Sequence, residues 1–486
     1  MDASALVPRA MPPAAADGMA AVATAGDASL LATNLVLAGC FLLFTWAMSR
    51  LFKEMRLPPV IGSLFAGMVC GPQLLDIVPL ANDADPTVDP WRVLGNFGVS
   101  LYIFEFGITL RLEKMRAVAG RSLSMALLAV GLPALAGLGV TLLAFGTEYL
   151  YDGIAAGLAL APTSPLAVKM LDEESLLRTW TGQVAMTAII LVMILSLMLQ
   201  VLMVAIADGG RDGMVSVVLK LFISLAFLLI GGVLAKLVFP RLTSLLKRIP
   251  RVGKVVIQPR DEAHLLVMLS ILMAFAYLTS RSLIGSHLLG TFVAGMCFAD
   301  VGRSSLLWRV QVKRVRTWCV RLFFAATIGF TIPVRSMFAP QHLGRGVLLG
   351  AFGAVGPKLI AGLPARPPQD AIGSSLHSIG RRPSRSGSER QDGSGPRGWL
   401  EPSQLVVGSL LCSRGEFAFF MVEQARTIAI GHQRAANRSA ATGALNQTAS
   451  NQTLLTASDD EQSHALMRED VWICVIWALL IGMCVG

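Results

Sequence analysis

The chain has 486 residues, of which 54% are hydrophobic and 15% are charged, and its mean hydropathy is +0.63. A soluble domain of this length does not bury so much apolar surface, so the composition excludes an ordinary soluble enzyme and indicates several membrane spans. The net charge of +10 is compatible with nucleic-acid binding, but membrane proteins also concentrate Lys and Arg in their cytoplasmic loops.

Residues 1–32 are rich in alanine and lack the continuous apolar core of a secretory signal, so we expect a disordered N-terminal tail. Apolar runs bounded by charged or turn residues then predict about 13 transmembrane helices. The runs cover 33–52, 58–74, 93–110, 122–145, 153–170, 180–206, 214–240, 263–281, 284–299, 317–333, 346–364, 402–424 and 471–486. The sequence therefore predicts an all-α polytopic membrane protein.

The charge of the loops indicates the orientation of these spans. With the N-terminus outside or lumenal, the inward loops carry most of the Lys and Arg residues, and the acidic loop Asp76–Asp89 lies outside. The inward loops are Lys53–Arg56, Arg111–Arg121, Leu171–Thr179, Arg241–Asp261, Val301–Arg316 and Ala365–Glu401. Orientation thus accounts for the net charge, and we predict a lipid bilayer around the chain and no nucleic-acid partner.

Segments near the C-terminus have distinctive compositions. Residues 365–401 are rich in Gly, Pro, Ser and Arg, which predicts a disordered cytoplasmic insert, either an anionic-lipid patch or a tolerated insertion. Residues 426–470 form a predicted outward loop with N-glycosylation triplets at Asn437, Asn446 and Asn451. Such triplets indicate the plasma membrane or an endomembrane of a eukaryote. The last span, 471–486, is short for a crossing, so we expect a truncated helix there.

A charge at the centre of a membrane helix costs at least about 2.5–3.5 kcal/mol, so a charge inside a predicted span is a candidate for function. We take Glu105, Lys358, Arg414 and Glu416 as these candidates. Lys358 follows Gly353-Ala-Val-Gly-Pro, where glycines and a proline loosen the helix and free backbone carbonyls for a cation or a polar substrate. The alternative for Lys358 is a paired structural lysine, and for Glu105 it is an ion pair with a neighbour.

Two spans contain residues that interrupt a helix. The fifth span carries Ala161-Pro-Thr-Ser-Pro165, whose prolines remove two backbone donors, and the twelfth carries Ser413-Arg-Gly-Glu416. The two spans run in opposite directions through the membrane, so the pair of breaks is typical of an inverted repeat with crossed, discontinuous helices. The hydroxyls of Thr163, Ser164 and Ser413 would then lie near the bilayer midplane.

Several motifs resemble the monovalent cation:proton antiporters of the Kef-like and sodium/hydrogen exchanger type. They are Leu57–Pro72, Leu94–Gly98, Phe104–Gly107, Gly182–Met186, Ser286–Gly295 and Ser413–Phe419. The resemblance implies a homodimer with a dimerisation half and a mobile core half, which exchanges Na⁺ or K⁺ for protons by alternating access. It also implies that the segments around Thr163 and Ser413 are the crossed helices and that Lys358 is the basic residue of the eleventh span.

In one respect the sequence departs from this family. The family carries an ion-binding aspartate in the sixth span, and the corresponding pair here is Val192-Met193. No carboxylate occurs anywhere from Thr181 to Ala207, so the departure does not depend on the alignment. An alkali cation needs oxygen ligands, and exchange needs a group that can lose a proton.

Three interpretations remain open. In the first, cation and proton exchange persists, and Glu105, Glu416 or the hydroxyls of Thr163, Ser164 and Thr187 replace the aspartate. In the second, the protein moves another solute, such as an anion attracted by Lys358 and by helix N-termini. In the third, it is a non-transporting sensor or scaffold.

The sequence gives no support for an enzyme. Its seven cysteines lie in apolar segments without Cys-x-x-Cys pairs, so we expect no metal site. It also lacks a phosphate-binding Gly-rich loop followed by Lys-Ser or Lys-Thr, so we expect no cofactor and no ATP-driven transport.

Overall fold

A computed structural model provides the three-dimensional structure. It describes residues 13–55, 57–78, 90–110, 118–164, 167, 179–237, 259–281, 285–299, 302–365, 402–428 and 467–485. Within these ranges the chain forms helices, connecting turns and no β-strand. The predicted all-α class is therefore confirmed for the described part of the chain.

The helices are numbered here in chain order. They are α1 (Pro13–Glu54), α2 (Pro59–Cys70), α3 (Pro90–Thr109), α4 (Ala119–Phe145), α5 (Leu150–Leu160), α6 (Trp180–Leu237), α7 (Pro259–Arg281) and α8 (His287–Met296). Consecutive helical segments from Gly302 to Thr331 form α9, and those from Pro340 to Ala361 form α10. The last three are α11 (Pro402–Cys412), α12 (416–428) and α13 (Glu469–Val485).

Seven helical stretches of the described residues are long and apolar enough to cross a membrane. They are Ala32–Glu54, Ala119–Phe145, Trp180–Ile206, Val215–Leu234, Asp261–Arg281, Pro340–Ala365 and Ser403–Ile428. Two shorter apolar helices are Pro59–Cys70 and His287–Met296. The seven stretches coincide with predicted spans, whereas α2, α5 and α8 are shorter than the runs that predicted them, because turns or helix breaks interrupt those runs.

The helices pack in two groups, which are called here the first and the second helix group. The first group contains α1, α2, α3, α7, α8 and α9, and the second contains α4, α5, the beginning of α6, α10, α11, α12 and α13. The later part of α6 packs on the first group, since Phe227 contacts Phe275 of α7 and Gly231 lies against Val293 of α8. The main apolar core joins the two groups through residues such as Phe323 and Phe420.

Small residues let the helices approach closely within each group. A methyl group on Gly67 of α2 would collide with the carbonyl of Ala325 on α9, and one on Gly157 of α5 would collide with the carbonyl of Ala134 on α4. Such contacts between backbones are the usual basis of helix packing in membranes, where apolar side chains gain little by leaving lipid. Glycines in these spans therefore serve packing.

Several predictions fall at the edge of the described residues. The helix α1 begins at Pro13, inside the predicted disordered tail 1–32, which agrees with the high helix propensity of its alanines. Residues 366–401 of the predicted insert 365–401 and the glycosylation triplets at Asn437, Asn446 and Asn451 lie outside the described residues. The helix at the C-terminal end, predicted over 471–486, covers Glu469–Val485.

Candidate functional site

Two interrupted helices cross in the second helix group, and this place is called here the crossing. The helix α5 ends at Leu160 and is followed by the non-helical residues 161–164, while 413–415 separate α11 from α12. The backbone N–H of Ser164 donates to the carbonyl of Ser413 at 2.9 Å, so the two breaks are hydrogen-bonded to each other. Pro162 explains the first break because it has no N–H to continue the helix.

Lys358 of α10 reaches into the crossing. Its side chain has 0% exposure, and its Nζ donates to the carbonyl of Pro162 at 2.7 Å and to Oγ1 of Thr163 at 2.6 Å. The Thr163 hydroxyl in turn donates to the carbonyl of Leu411 on α11 at 3.0 Å. The lysine therefore has acceptors on the first break and, through Thr163, is linked to the second helix of the crossing.

Arg414 is a second buried cation at the crossing. Its Nη1 donates to the carbonyls of Leu160 and Pro162, the latter at 2.8 Å, and its Nη2 donates to the carbonyl of Ala354 at 3.0 Å. The last carbonyls of a helix lack intrahelical partners and carry partial negative charge. Arg414 satisfies the carbonyl of Leu160, the last residue of α5, and both cations bind the carbonyl of Pro162 in the break, so backbone carbonyls compensate the two buried positive charges.

Oxygen atoms without partners lie on the other side of the second break. Glu416 is 8% exposed and Ser413 is 7% exposed, and within the described residues Oε2 of Glu416 and Oγ of Ser413 have no hydrogen-bond partner. Ser164 lies against Gly415, which directly precedes Glu416 in the sequence, because a methyl group on Gly415 would collide with Oγ of Ser164. The crossing thus combines one carboxylate with two hydroxyls in a buried position.

Tyr102 connects the crossing to the first helix group. This residue of α3 lies within hydrogen-bonding reach of both Ser164 and Glu416. The guanidinium carbon of Arg316, on α9, lies 5.4 Å from the centre of the Tyr102 ring. Arg316 also forms an ion pair with Glu105 of α3, with Nη1 and Oε2 2.5 Å apart.

The stretch of α6 where the resembling family has its aspartate is apolar in the structure as well. Val192 and Met193 are both 0% exposed. Val192 packs in one apolar cluster with Ala161 and Leu411, the residues that flank the two breaks. Thr187, one turn before this pair, is buried with 4% exposure. The α6 side of the crossing therefore contributes methyl groups and a thioether, which are not ligands for an alkali cation.

The structure brings most of the predicted site residues together. Six of them form the crossing: Thr163, Ser164, Lys358, Ser413, Arg414 and Glu416. Glu105 lies apart from them in its ion pair with Arg316, which is the structural alternative that the sequence left open. No group of three or more His, Cys, Asp and Glu residues that could hold a metal ion occurs in the described ranges.

Sequence reasoning missed Tyr102 and Arg316. Tyr102 lies three residues before Glu105 on α3, so helical spacing places both on neighbouring positions of one face. Arg316 belongs to a predicted inward loop, where a basic residue is expected for orientation alone. The spacing on α3 was therefore the available signal for Tyr102, while nothing in the sequence separates Arg316 from the other loop arginines.

Sequence reasoning also missed a polar cluster between the two groups. The Nε2 of Gln200 on α6 donates to Oε1 of Gln424 on α12 at 2.8 Å. The hydroxyl of Ser286, just before α8, donates to Oε1 of Gln200 at 3.0 Å. Gln200 is one of two amides, with Gln183, in the uncharged stretch Thr181–Ala207, and an amide inside a membrane span was the signal for it.

Comparison with known protein families gives a match over most of the chain. The family model described as "Sodium/hydrogen exchanger, transmembrane" matches residues 39–440. This range contains both breaks of the crossing, Lys358 and the Glu105–Arg316 pair.

Individual relatives are more distant. The chain is 26% identical to Cation/H(+) antiporter 19 of Arabidopsis thaliana over 344 residues, which are 66% of this chain and 41% of the relative. It is 28% identical to the putative cation/proton antiporter YbaL of Escherichia coli over 52% of this chain and 44% of that protein. The matched part thus spans less than half of these relatives.

A solved structure has the same fold. The sodium proton antiporter MjNhaP1 of Methanocaldococcus jannaschii, determined at pH 8, aligns with a TM-score of 0.58. The alignment covers 93% of this chain and 98% of the other, with 14% sequence identity. At this identity the likeness establishes the arrangement of helices and does not assign residues to roles.

Proposed function

The chain belongs to the sodium/hydrogen exchanger family, and on that premise we propose that it exchanges a monovalent cation, Na⁺ or K⁺, for protons across a membrane. The energy source is the gradient of one of the two ions. The relatives described above are named as antiporters of cations and protons, which supports this activity.

The buried carboxylate of Glu416 is the observation that carries the proposal. Exchange requires one group that can hold either a proton or a cation, and the apolar pair Val192-Met193 cannot be that group. Glu416 has an oxygen without a hydrogen-bond partner in the described part of the chain, and the hydroxyls of Ser413 and Ser164 supply further oxygen ligands. A hard alkali cation prefers such a set of oxygens.

Lys358 and Arg414 have a different part in this proposal. Their positive charges are held by backbone carbonyls of the first break, so they fix the shape of the crossing and leave the Glu416 side for the ion.

The wider architecture belongs to the same proposal. We infer about 13 transmembrane helices with an inverted repeat, an outside or lumenal N-terminus and a homodimer in a eukaryotic membrane. The two packed helix groups correspond in this proposal to the dimerisation half and the mobile core half. The cytoplasmic insert 365–401 and glycans at Asn437, Asn446 and Asn451 remain predictions.

Reconstitution tests the activity. Purified protein in liposomes with an acidic interior and a pH-sensitive dye should give dequenching on addition of Na⁺ or K⁺. The variant Glu416→Gln removes the ionisable group with little change of shape and should abolish the response, whereas Glu262→Gln, an exposed carboxylate of α7, should retain it. Full dequenching by Glu416→Gln would reject Glu416 as the exchanging group.

A second candidate function is a protein of the same fold that carries another solute or none. The observation that favours it is the excess of positive charge at the crossing, where two cations, Lys358 and Arg414, and one carboxylate, Glu416, are buried. A folded wild-type protein that fails to respond to Na⁺, K⁺ and Li⁺ but takes up a labelled anion would establish this alternative. Failure with both cations and anions would favour a sensor or scaffold.

A further inference from the structure

A partly buried ion pair lies in the first helix group beside the crossing. Nη1 of Arg316 and Oε2 of Glu105 are 2.5 Å apart, and their side chains are 15% and 21% exposed. The indole N–H of Trp308 donates to the same Glu105 oxygen at 3.1 Å. Glu105 is thus fixed from two directions, and the guanidinium of Arg316 is held at one position.

The same arginine also faces the crossing. Its guanidinium carbon lies 5.4 Å from the centre of the Tyr102 ring, and the Tyr102 side chain is within hydrogen-bonding reach of Glu416. Arg316 is close enough to interact electrostatically with Glu416 itself. Arg316 therefore lies near two carboxylates: it binds Glu105 directly and interacts with Glu416.

The binding state of the two carboxylates differs. Glu105 has two donors on one oxygen, whereas Oε2 of Glu416 has no partner among the residues that the structure describes. A partly buried arginine that loses its carboxylate keeps its charge and its desolvation cost, so it moves toward another anion within reach. For Arg316 that anion is Glu416, which also lies within hydrogen-bonding reach of Tyr102.

We propose that Glu105 is a positioning residue that holds Arg316 away from Glu416 and so keeps the Glu416 carboxylate free for the transported cation. This inference rests on the proposed cation and proton exchange. Without Glu105 the guanidinium would occupy the oxygen that the cation needs and compete with it. Substitution of Glu105 would then weaken cation binding only in a protein that still has Arg316. Substitution of a carboxylate that binds the cation would weaken it with or without Arg316.

The experiment measures the cation dependence of exchange for four proteins in the liposome assay: wild type, Glu105→Gln, Arg316→Gln and the double variant. Glu105→Gln should raise the apparent KM for the cation about tenfold, a size typical of coupled neighbours, with a much smaller change in maximal rate. Arg316→Gln should have a KM no higher than wild type. The double variant should return to within about threefold of wild type, because the competing charge is gone.

A matched control is available on the surface. Glu54 pairs with Arg50 at 3.2 Å, and both side chains are more than half exposed, at 68% and 60%. Glu54→Gln therefore also removes the carboxylate partner of an arginine, but far from any buried anion, and should leave the KM unchanged. Trp308→Phe removes the indole donor to Glu105 together with part of a buried ring, keeps the Glu105 carboxylate, and should raise the KM by a smaller factor than Glu105→Gln.

Several results would overturn the proposal. An unchanged KM in Glu105→Gln, or a double variant as impaired as Glu105→Gln, would show that Glu105 does not act through Arg316. If Glu105→Gln does not fold, Trp308→Phe with and without Arg316→Gln decides the question by the same criterion. Failure of the proposed function itself is distinguishable, because then the wild type shows no cation response at all.

Discussion

The crossing and the adjacent stretch of α6 are equally buried but chemically opposite. Lys358 at the crossing and Val192 on α6 both have 0% exposure. The lysine lies where an interrupted helix offers carbonyl oxygens, whereas Val192 lies on an unbroken helix whose backbone groups are already paired. The buried lysine therefore lies where an interrupted helix leaves carbonyls without helical partners, whereas the backbone groups around Val192 already take part in helix hydrogen bonds.

Among the variants that test this comparison, removal of the buried lysine should lower the stability of the protein most. Lys358→Met removes the lysine donor from Oγ1 of Thr163 and leaves the carbonyl of Pro162 with Arg414 as its donor, and each lost hydrogen bond to the charged group should cost about 1.5–3 kcal/mol. Thermal unfolding in detergent should show a clearly lower midpoint than for wild type. Lys313→Met, at an exposed lysine of α9, should unfold like wild type; equal midpoints for the two variants would mean that Lys358 does not stabilise the crossing.

Addition of a charge to the apolar stretch should have the next largest effect. Ala185→Asp places a carboxylate two turns before Val192 in the same apolar cluster, which should cost at least about 2.5–3.5 kcal/mol. Val192→Asp should cost less, because it adds a negative charge beside the two buried cations of the crossing. Thermal unfolding of both variants at one pH measures this difference. A lower midpoint for Val192→Asp than for Ala185→Asp would contradict the expectation.

Disturbing the close contact between the two breaks should cost less stability. A methyl group on Gly415 would collide with Ser164, so Gly415→Ala should force the breaks apart and destabilise the protein by about 1–3 kcal/mol. Gly232→Ala is the control, because no atom lies within 4 Å of the methyl group it would add. Indistinguishable unfolding midpoints would show that the two breaks can separate freely.

A change of shape within the apolar stretch should have the smallest effect. Met193→Leu preserves both volume and polarity, so we expect a loss of less than about 1.5 kcal/mol in unfolding free energy. Exchange in the liposome assay should be retained, because the proposed ion site lies at Glu416. A Met193→Leu variant that folds but has lost cation response would instead place the ion path along α6.

Much of this arrangement is predictable from sequence because it depends on local chemistry. The apolar runs identify the membrane helices, since each run must cover its own length of bilayer. Pro162 prevents an undisturbed helix wherever it occurs, so the break near Thr163 is a property of the chain itself. The costly charges Lys358 and Glu416 are conspicuous for the same reason.

The partners of these residues are not predictable in this way. Lys358 and the carbonyl oxygen that it binds are 196 residues apart in the chain, and Trp308 and Glu105 are 203 apart. Composition and spacing leave open whether Glu105 binds an ion or forms an ion pair. The packing of α3 against α9 decides for the ion pair with Arg316.

The sequence by itself thus determined the membrane class, the positions of the helix breaks and the absence of a carboxylate between Thr181 and Ala207. Only the tertiary structure decided that the buried cations bind backbone carbonyls, that Glu416 keeps an oxygen without a partner in the described residues, and that Tyr102 lies near both Glu416 and Arg316. The physical reason is that hydropathy and backbone geometry act within one segment. A hydrogen bond or an ion pair instead requires two segments that only folding brings together.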